Sequence, residues 1–215
     1  MFHFVEGYRG HIRRLIATHP LKTAMAMAVG GEHDYEVVGK AEADLLQAIG
    51  LEAGHALVDL GCGSGRLSGE LGRRLGSSID YVGVDMVPEL LDYARTQSPS
   101  TFRFEVAEKP PIPAPDASAD FVGAFSLLTH LLHEESYLYL RDAVRVVKPG
   151  GRIVFSFMET GRHWDIFEAM AASPGGTFTI FIERPMIEVW GTKLNLTIEA
   201  YDPYPFGQSV VVLRR

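Results

Sequence analysis

The sequence predicts a doubly wound α/β fold, a mainly parallel sheet covered by helices on both faces, with a helical N-terminal extension. Three observations predict it. After Gly54, short runs rich in Val, Phe or Ile alternate with helical patterns; such alternation needs crossover connections and so a parallel sheet buried on both faces. One of these runs passes through a glycine-rich turn directly into a helix. The last two runs are joined by only Asp202-Pro203-Tyr204-Pro205-Phe206-Gly207, too short for a crossover, and are therefore antiparallel neighbours.

Each element has its own justification. Phe4, Val5, Tyr8, Ile12, Leu15 and Ile16 recur at helical spacing, and Pro20 stops that helix. A second helix runs through Val37, Val38, Ala41, Leu45, Leu46 and Ile49, and Gly50 is placed to end it. Between them Val29–Tyr35 is a polar connection bearing two glycines. Residues 1–50 thus read as a helical extension and 51–215 as the main domain. There, strands are expected at Ala56–Leu60, Tyr81–Val84, Phe102–Val106, Phe121–Phe125 and Arg152–Phe157. Helices are expected at Arg66–Leu75, Pro88–Thr96, Glu134–Val147 and Arg162–Ala172. Leu196–Tyr201 and Ser209–Leu213 form the closing pair. Thr177–Ile182 alternates and reads as a strand or as the approach to a helix near Pro185. As an exposed edge it would be a homodimer contact.

Charge and cysteine usage exclude several classes of function. Twenty Lys and Arg stand against 27 Asp and Glu, a net charge of −7, which argues against a nucleic-acid partner. The single cysteine excludes an internal disulfide and points to a reducing, cytoplasmic setting. The longest mostly apolar run, Phe121–Leu132, is far short of the roughly 20 residues of a spanning helix, so no membrane partner is expected.

The chemistry is concentrated in Leu57–Arg66, reading LVDLGCGSGR. An apolar strand enters Gly61-x-Gly63-x-Gly65 and then a helix, whose free N–H groups can meet ligand oxygens. A dinucleotide fingerprint would place glycine at the sixth position, where Arg66 stands; this counts against an NAD-dependent oxidoreductase. The next strand, YVGVD, ends in Asp85, a carboxylate able to accept hydrogen bonds from both ribose hydroxyls.

DLGCGSG followed by YVGVDMVPELLDYAR resembles the first two motifs of the class I S-adenosylmethionine-dependent methyltransferases. DASADFVGAFSLL and LRDAVRVVKPGGRIVFSF are similar to that family's fourth strand, following helix and fifth strand. The resemblance covers about residues 50 to 160 and implies seven strands in the order 3-2-1-4-5-7-6, the last antiparallel. It implies S-adenosylmethionine as cofactor. Asp59 and Gly61, Cys62, Gly63, Ser64 and Gly65 would hold its methionyl part, Asp85 its ribose, and Met86 its adenine. Ser126 would lie near the sulfonium. Many members carry an acid after the third strand for the adenine amino group; here Val106 takes that place, leaving Glu108 or the Ala107 backbone.

The acceptor is expected at the carboxyl ends of strands four and five. Thr129, His130, His133, Glu159, Arg162 and His163 are the candidates there, with His130 first as general base because imidazole titrates near neutrality. The strand end Ala124-Phe125-Ser126 lacks the aspartate of metal-dependent members, so no metal is expected. It also lacks the Asn/Asp-Pro-Pro-Tyr stretch of members that methylate nucleic-acid amino groups. His33 and Tyr35, in the glycine-flanked connection, either close on the methionyl carboxylate or serve plain loop packing. The acceptor is read as a small molecule methylated at oxygen or nitrogen. A non-catalytic binding protein on the same fold is the alternative.

Overall fold

The computed structural model describes residues 5–31, 33–172, 179–203 and 207–215. Three helices open the chain: α1 (Val5–Thr18), α2 (Leu21–Met27) and α3 (Tyr35–Ala48). Then follow β1 (Ala56–Leu60), α4 (Arg66–Leu75), β2 (Asp80–Asp85), α5 (Pro88–Gln97), β3 (Arg103–Val106) and β4 (Ala119–Ala124). The second half contains α6 (His133–Val146), β5 (Val147–Phe157), α7 (Trp164–Ala172), α8 (Arg184–Lys193), β6 (Thr197–Pro203) and β7 (Ser209–Arg214).

The seven strands form one sheet in the order 3-2-1-4-5-7-6. β1 pairs parallel with β2 and β4, β2 with β3, and β4 with β5; β7 runs antiparallel to both β5 and β6. The chain leaves β1 for one edge and returns to β4 on its other side, which opens a crevice at the carboxyl ends of β1 and β4.

Alternating strand residues divide the core. Val58, Leu60, Val82, Val84, Val122 and Phe155 face α6 and α8 through Leu140, Ala143, Ile187 and Trp190. Leu57, Tyr81, Phe104, Phe121 and Val154 face α3, α4 and α5 through Leu46, Leu71, Leu91 and Ala94. A third, smaller cluster joins Val5, Ile12, Leu15, Ala24 and Met25 of α1 and α2 to Met86, Val87 and Leu90. Of the extension, α3 is therefore part of the sheet's packing, whereas α1 and α2 rest on the end of β2 and the start of α5.

Several boundaries differ from those expected. β5 begins at Val147 rather than Arg152, because Pro149-Gly150-Gly151 is accommodated within the strand by a register shift against β4. β4 runs Ala119–Ala124 and stops before Phe125; Ser126 has a left-handed φ of 57°, which turns the chain out of the sheet. Thr160–Arg162 is a 3-10 turn, so α7 starts at Trp164. Helix α2 was not distinguishable from the Pro20 stop signal. Of the alternating segment Thr177–Ile182, Thr177 and Phe178 lie outside the described residues. The remainder is no exposed sheet edge: Ile180 N donates to the Thr129 carbonyl and Ile182 N to that of Met158, with one bridge from Phe181 to Met158. Pro185 does open a helix, α8.

Candidate active site

Above the carboxyl ends of β1, β2 and β4 lies a cavity of about 960 Å³, roofed by α1 and the α2–α3 connection. It is at the upper end of small-molecule site sizes, about 300–1,000 Å³. Of the residues singled out in the sequence, Asp59, Gly61, Cys62, Gly63, Asp85, Met86, Ala107, Glu108, Ser126, Thr129 and His130 line it.

The floor is the glycine turn. Gly63 has φ 55°, and a Cβ there would lie 2.5 Å from Val29 Cγ1, so only glycine lets the roof approach this closely. Ser64 and Gly65 are absent from the wall and act behind it. Ser64 Oγ donates to the Met25 carbonyl at 2.9 Å, and Gly65 (φ 89°) starts α4 against Ala94, 2.8 Å from where its Cβ would be. Cys62 is buried, and burial pushes its thiol well above the ordinary range, which removes it as a nucleophile at neutral pH.

Asp85 is buried at the end of β2, where its Oδ2 accepts from Gly63 N at 3.0 Å and its Oδ1 from Val87 N at 2.9 Å. Burial nevertheless raises its pKa to about 6. Asp59, buried at the end of β1, accepts from the Tyr81 hydroxyl at 2.6 Å, and burial raises it to about 7. Desolvation outweighs these hydrogen bonds in both cases. Past β3, the Ala107 N–H is engaged by the Asp85 carbonyl at 3.0 Å and so is not available to a ligand. Glu108 pairs with Arg9 of α1 at 2.7 Å, and the same guanidinium donates to the Met86 carbonyl at 2.9 Å.

On the acceptor side the structure separates the candidates. Ser126 is held by its N–H to Ser156 Oγ at 2.6 Å, and its own Oγ accepts from Gln208 Nε2 at 3.1 Å. His130 sits in a 3-10 turn, Leu128–His130, half-buried, with its ring 6.4 Å from that of Tyr8. His133, Glu159, Arg162 and His163 do not line the cavity. His133 Nε2 is 2.9 Å from the Phe181 carbonyl. Glu159 accepts from Arg184 at 3.0 Å and from Ser209, while Arg162 donates to Ser209 Oγ at 2.7 Å. Tyr35 and His33 do not close on the cavity either, since the Tyr35 hydroxyl donates to the Ser64 carbonyl at 2.9 Å and His33 is exposed.

The wall also contains residues that sequence reading missed. Tyr8 of α1 lines the cavity with its hydroxyl donating to the Ala28 carbonyl at 3.1 Å. Arg66 pairs with the buried Glu42, Nη2 to Oε1 2.6 Å, and Arg66 Nη1 donates to the Val29 carbonyl at 2.6 Å. Arg66 was legible as a missing glycine but its partner, on α3, was not. Tyr139 arrives from α6, Met158 from just past β5 and Gln208 from just before β7.

The residues fit S-adenosylmethionine. A glycine floor admits a ligand backbone-close, Asp85 faces the cavity, and two desolvated carboxyls suit a cofactor that brings cationic charge and ribose hydroxyls. Comparison with known proteins agrees. The methyltransferase domain family matches residues 58–155. A malonyl-[acyl-carrier protein] O-methyltransferase of Hahella chejuensis is 27% identical over 183 residues, 77% of this chain and 63% of that protein. The 27-O-demethylrifamycin SV methyltransferase of Amycolatopsis mediterranei is 32% identical over 110 residues, 48% of this chain and 38% of that protein. The chain spans less than two thirds of the length of each of these relatives. Among solved structures, magnesium protoporphyrin IX methyltransferase from Synechocystis PCC 6803 with bound SAH superposes with a TM-score of 0.72 at 15% identity, covering 99% of this chain and 96% of that one. At that identity the likeness establishes the fold.

Proposed function

We propose that this chain, which carries a class I S-adenosylmethionine-dependent methyltransferase domain, methylates a small molecule at oxygen or nitrogen. The observation that carries the reading is the cavity over the glycine turn, with Asp85 opening onto it beside Met86. In this reading the Gly61–Gly63 backbone and Asp59 hold the methionyl part of the cofactor, Asp85 accepts from its ribose hydroxyls, and Met86 packs on its adenine. The Ala107–Glu108 turn bounds the adenine side, with Glu108 fixed by Arg9. Ser64 and Gly65 shape the turn from behind.

When bound, S-adenosylmethionine supplies a methyl group made electrophilic by its sulfonium, the C–S bonding pair leaving with the sulfur. What remains for the protein is positioning, dryness and a proton. The roof of α1 and the α2–α3 connection excludes water. Ser126, turned out of β4 and tied to Ser156 and Gln208, fixes the floor between the cofactor and acceptor ends. His130 takes the acceptor proton.

Incubating the protein and methyl-labelled cofactor with a cell extract should yield a labelled low-mass product. His130→Asn should then lower kcat by about 10²–10⁴-fold, the usual contribution of a general base, and leave cofactor affinity unchanged. Cofactor binding without any labelled product would favour the non-catalytic alternative.

A further inference from the structure

We propose that the acceptor is a neutral, largely apolar molecule methylated at an acidic hydroxyl of the phenol or enol class, and not at a carboxylate; this rests on the methyl-transfer reading above. The charges of the wall carry the argument. Among the described residues the cavity is lined by four acids, Glu42, Asp59, Asp85 and Glu108, and by Arg66 as its sole Lys or Arg. The Arg66 guanidinium is clamped on Glu42, with Nη2 at 2.6 Å and Nε at 3.0 Å from Oε1. Arg9 answers Glu108. No lysine or arginine is hidden elsewhere, because residues 1–4, 32, 173–178 and 204–206 contain none.

A carboxylate entering this cavity would give up its hydration with no ammonium or further guanidinium from the protein to replace it, against a wall in which acids outnumber Lys and Arg. Burying an anion on those terms is strongly unfavourable. A neutral hydroxyl meets no such penalty. The rest of the wall suits it, with Met27, Leu127 and Met158 as apolar groups and Thr179, Gln208 and His130 as uncharged or imidazole polar groups. A neutral hydroxyl must lose its proton as the new C–O bond forms. His130 receives it, and an imidazole is far better matched to a phenol, pKa about 10, than to an ordinary alcohol.

The test uses two probes on the same aromatic frame, 2-naphthol and 2-naphthoate, titrated at pH 7 into the full chain saturated with S-adenosylhomocysteine. The naphthol should bind about tenfold tighter or more, and Met158→Lys should reverse the preference by supplying the missing cation. Where Met158→Lys does not fold, Thr179→Lys makes the same reversal test. Naphthoate binding as tightly as naphthol, neither probe binding at millimolar concentration, or an unchanged ratio in a folded lysine variant would each overturn the proposal. Failure to bind S-adenosylhomocysteine in the first place would instead defeat the methyltransferase reading beneath it.

Discussion

Asp85 shows how one residue can report on the whole site. Its pKa of about 6 is raised by burial against the pull of the backbone N–H groups of Val87, Gly63 and Met86. A carboxyl with a raised folded-state pKa stabilises the unliganded fold fully at pH below about 4, and that contribution is lost as pH rises through 6. In the proposed reading the cofactor acts in the opposite sense, since its ribose hydroxyls would donate to the ionised form. Affinity for S-adenosylhomocysteine should therefore fall as pH is lowered from 8 to 5, with an inflection near 6. Calorimetry across that range measures it, and a flat profile would separate Asp85 from the ribose. Asp85→Ala should weaken binding by about 1–3 kcal/mol. Asp85 and the glycine turn were legible in the sequence because their chemistry is local, a strand end and a tight turn. The partners of Glu108 and of the Ala107 N–H, Arg9 and the Asp85 carbonyl, were not legible because they are set by tertiary packing.

At the scale of elements, the N-terminal helices decide how closed the site is. α3 is bound to the glycine turn by the Glu42–Arg66 pair, with Glu42 only 1% exposed. Glu42→Ala leaves a partly buried guanidinium without its carboxylate and should cost about 2–3 kcal/mol in denaturant unfolding. The double variant Glu42→Leu with Arg66→Met should recover most of that loss. α1 is held more lightly, by the small cluster around Met86 and Leu90 and by Arg9 reaching Glu108 and the Met86 carbonyl. Arg9→Ala should speed S-adenosylhomocysteine release several-fold in stopped-flow displacement while scarcely moving Tm; an unchanged off-rate would show that α1 does not gate the cavity. The sequence marked α1 and α3 through their apolar spacing. It could not mark the cover they make, because Arg9 meets Met86 across 77 residues of chain and no local pattern encodes that distance. Helix α2, seven residues between Pro20 and the glycine-bearing connection, is too short for a periodic signal.

The molecule as a whole is ordered by one switch in strand sequence, where the chain abandons one half of the sheet at β3 and restarts beside β1 at β4. The doubly wound class was readable because strand–helix alternation and a short final hairpin constrain it strongly, whereas the strand order was legible only through the family resemblance. No helix among the described residues is long and apolar enough to cross a membrane. The acceptor end was less readable, since Tyr8, Met27, Met158, Thr179 and Gln208 come together from five separate stretches of the chain. The measurement that bears most directly on the whole account is thermal unfolding with S-adenosylmethionine, S-adenosylhomocysteine or NAD. Either methyl-cycle ligand, at 100 times its Kd, should stabilise the fold by about 2.7 kcal/mol, and NAD should leave it unmoved. Stabilisation by NAD alone, or by none of the three, would contradict it.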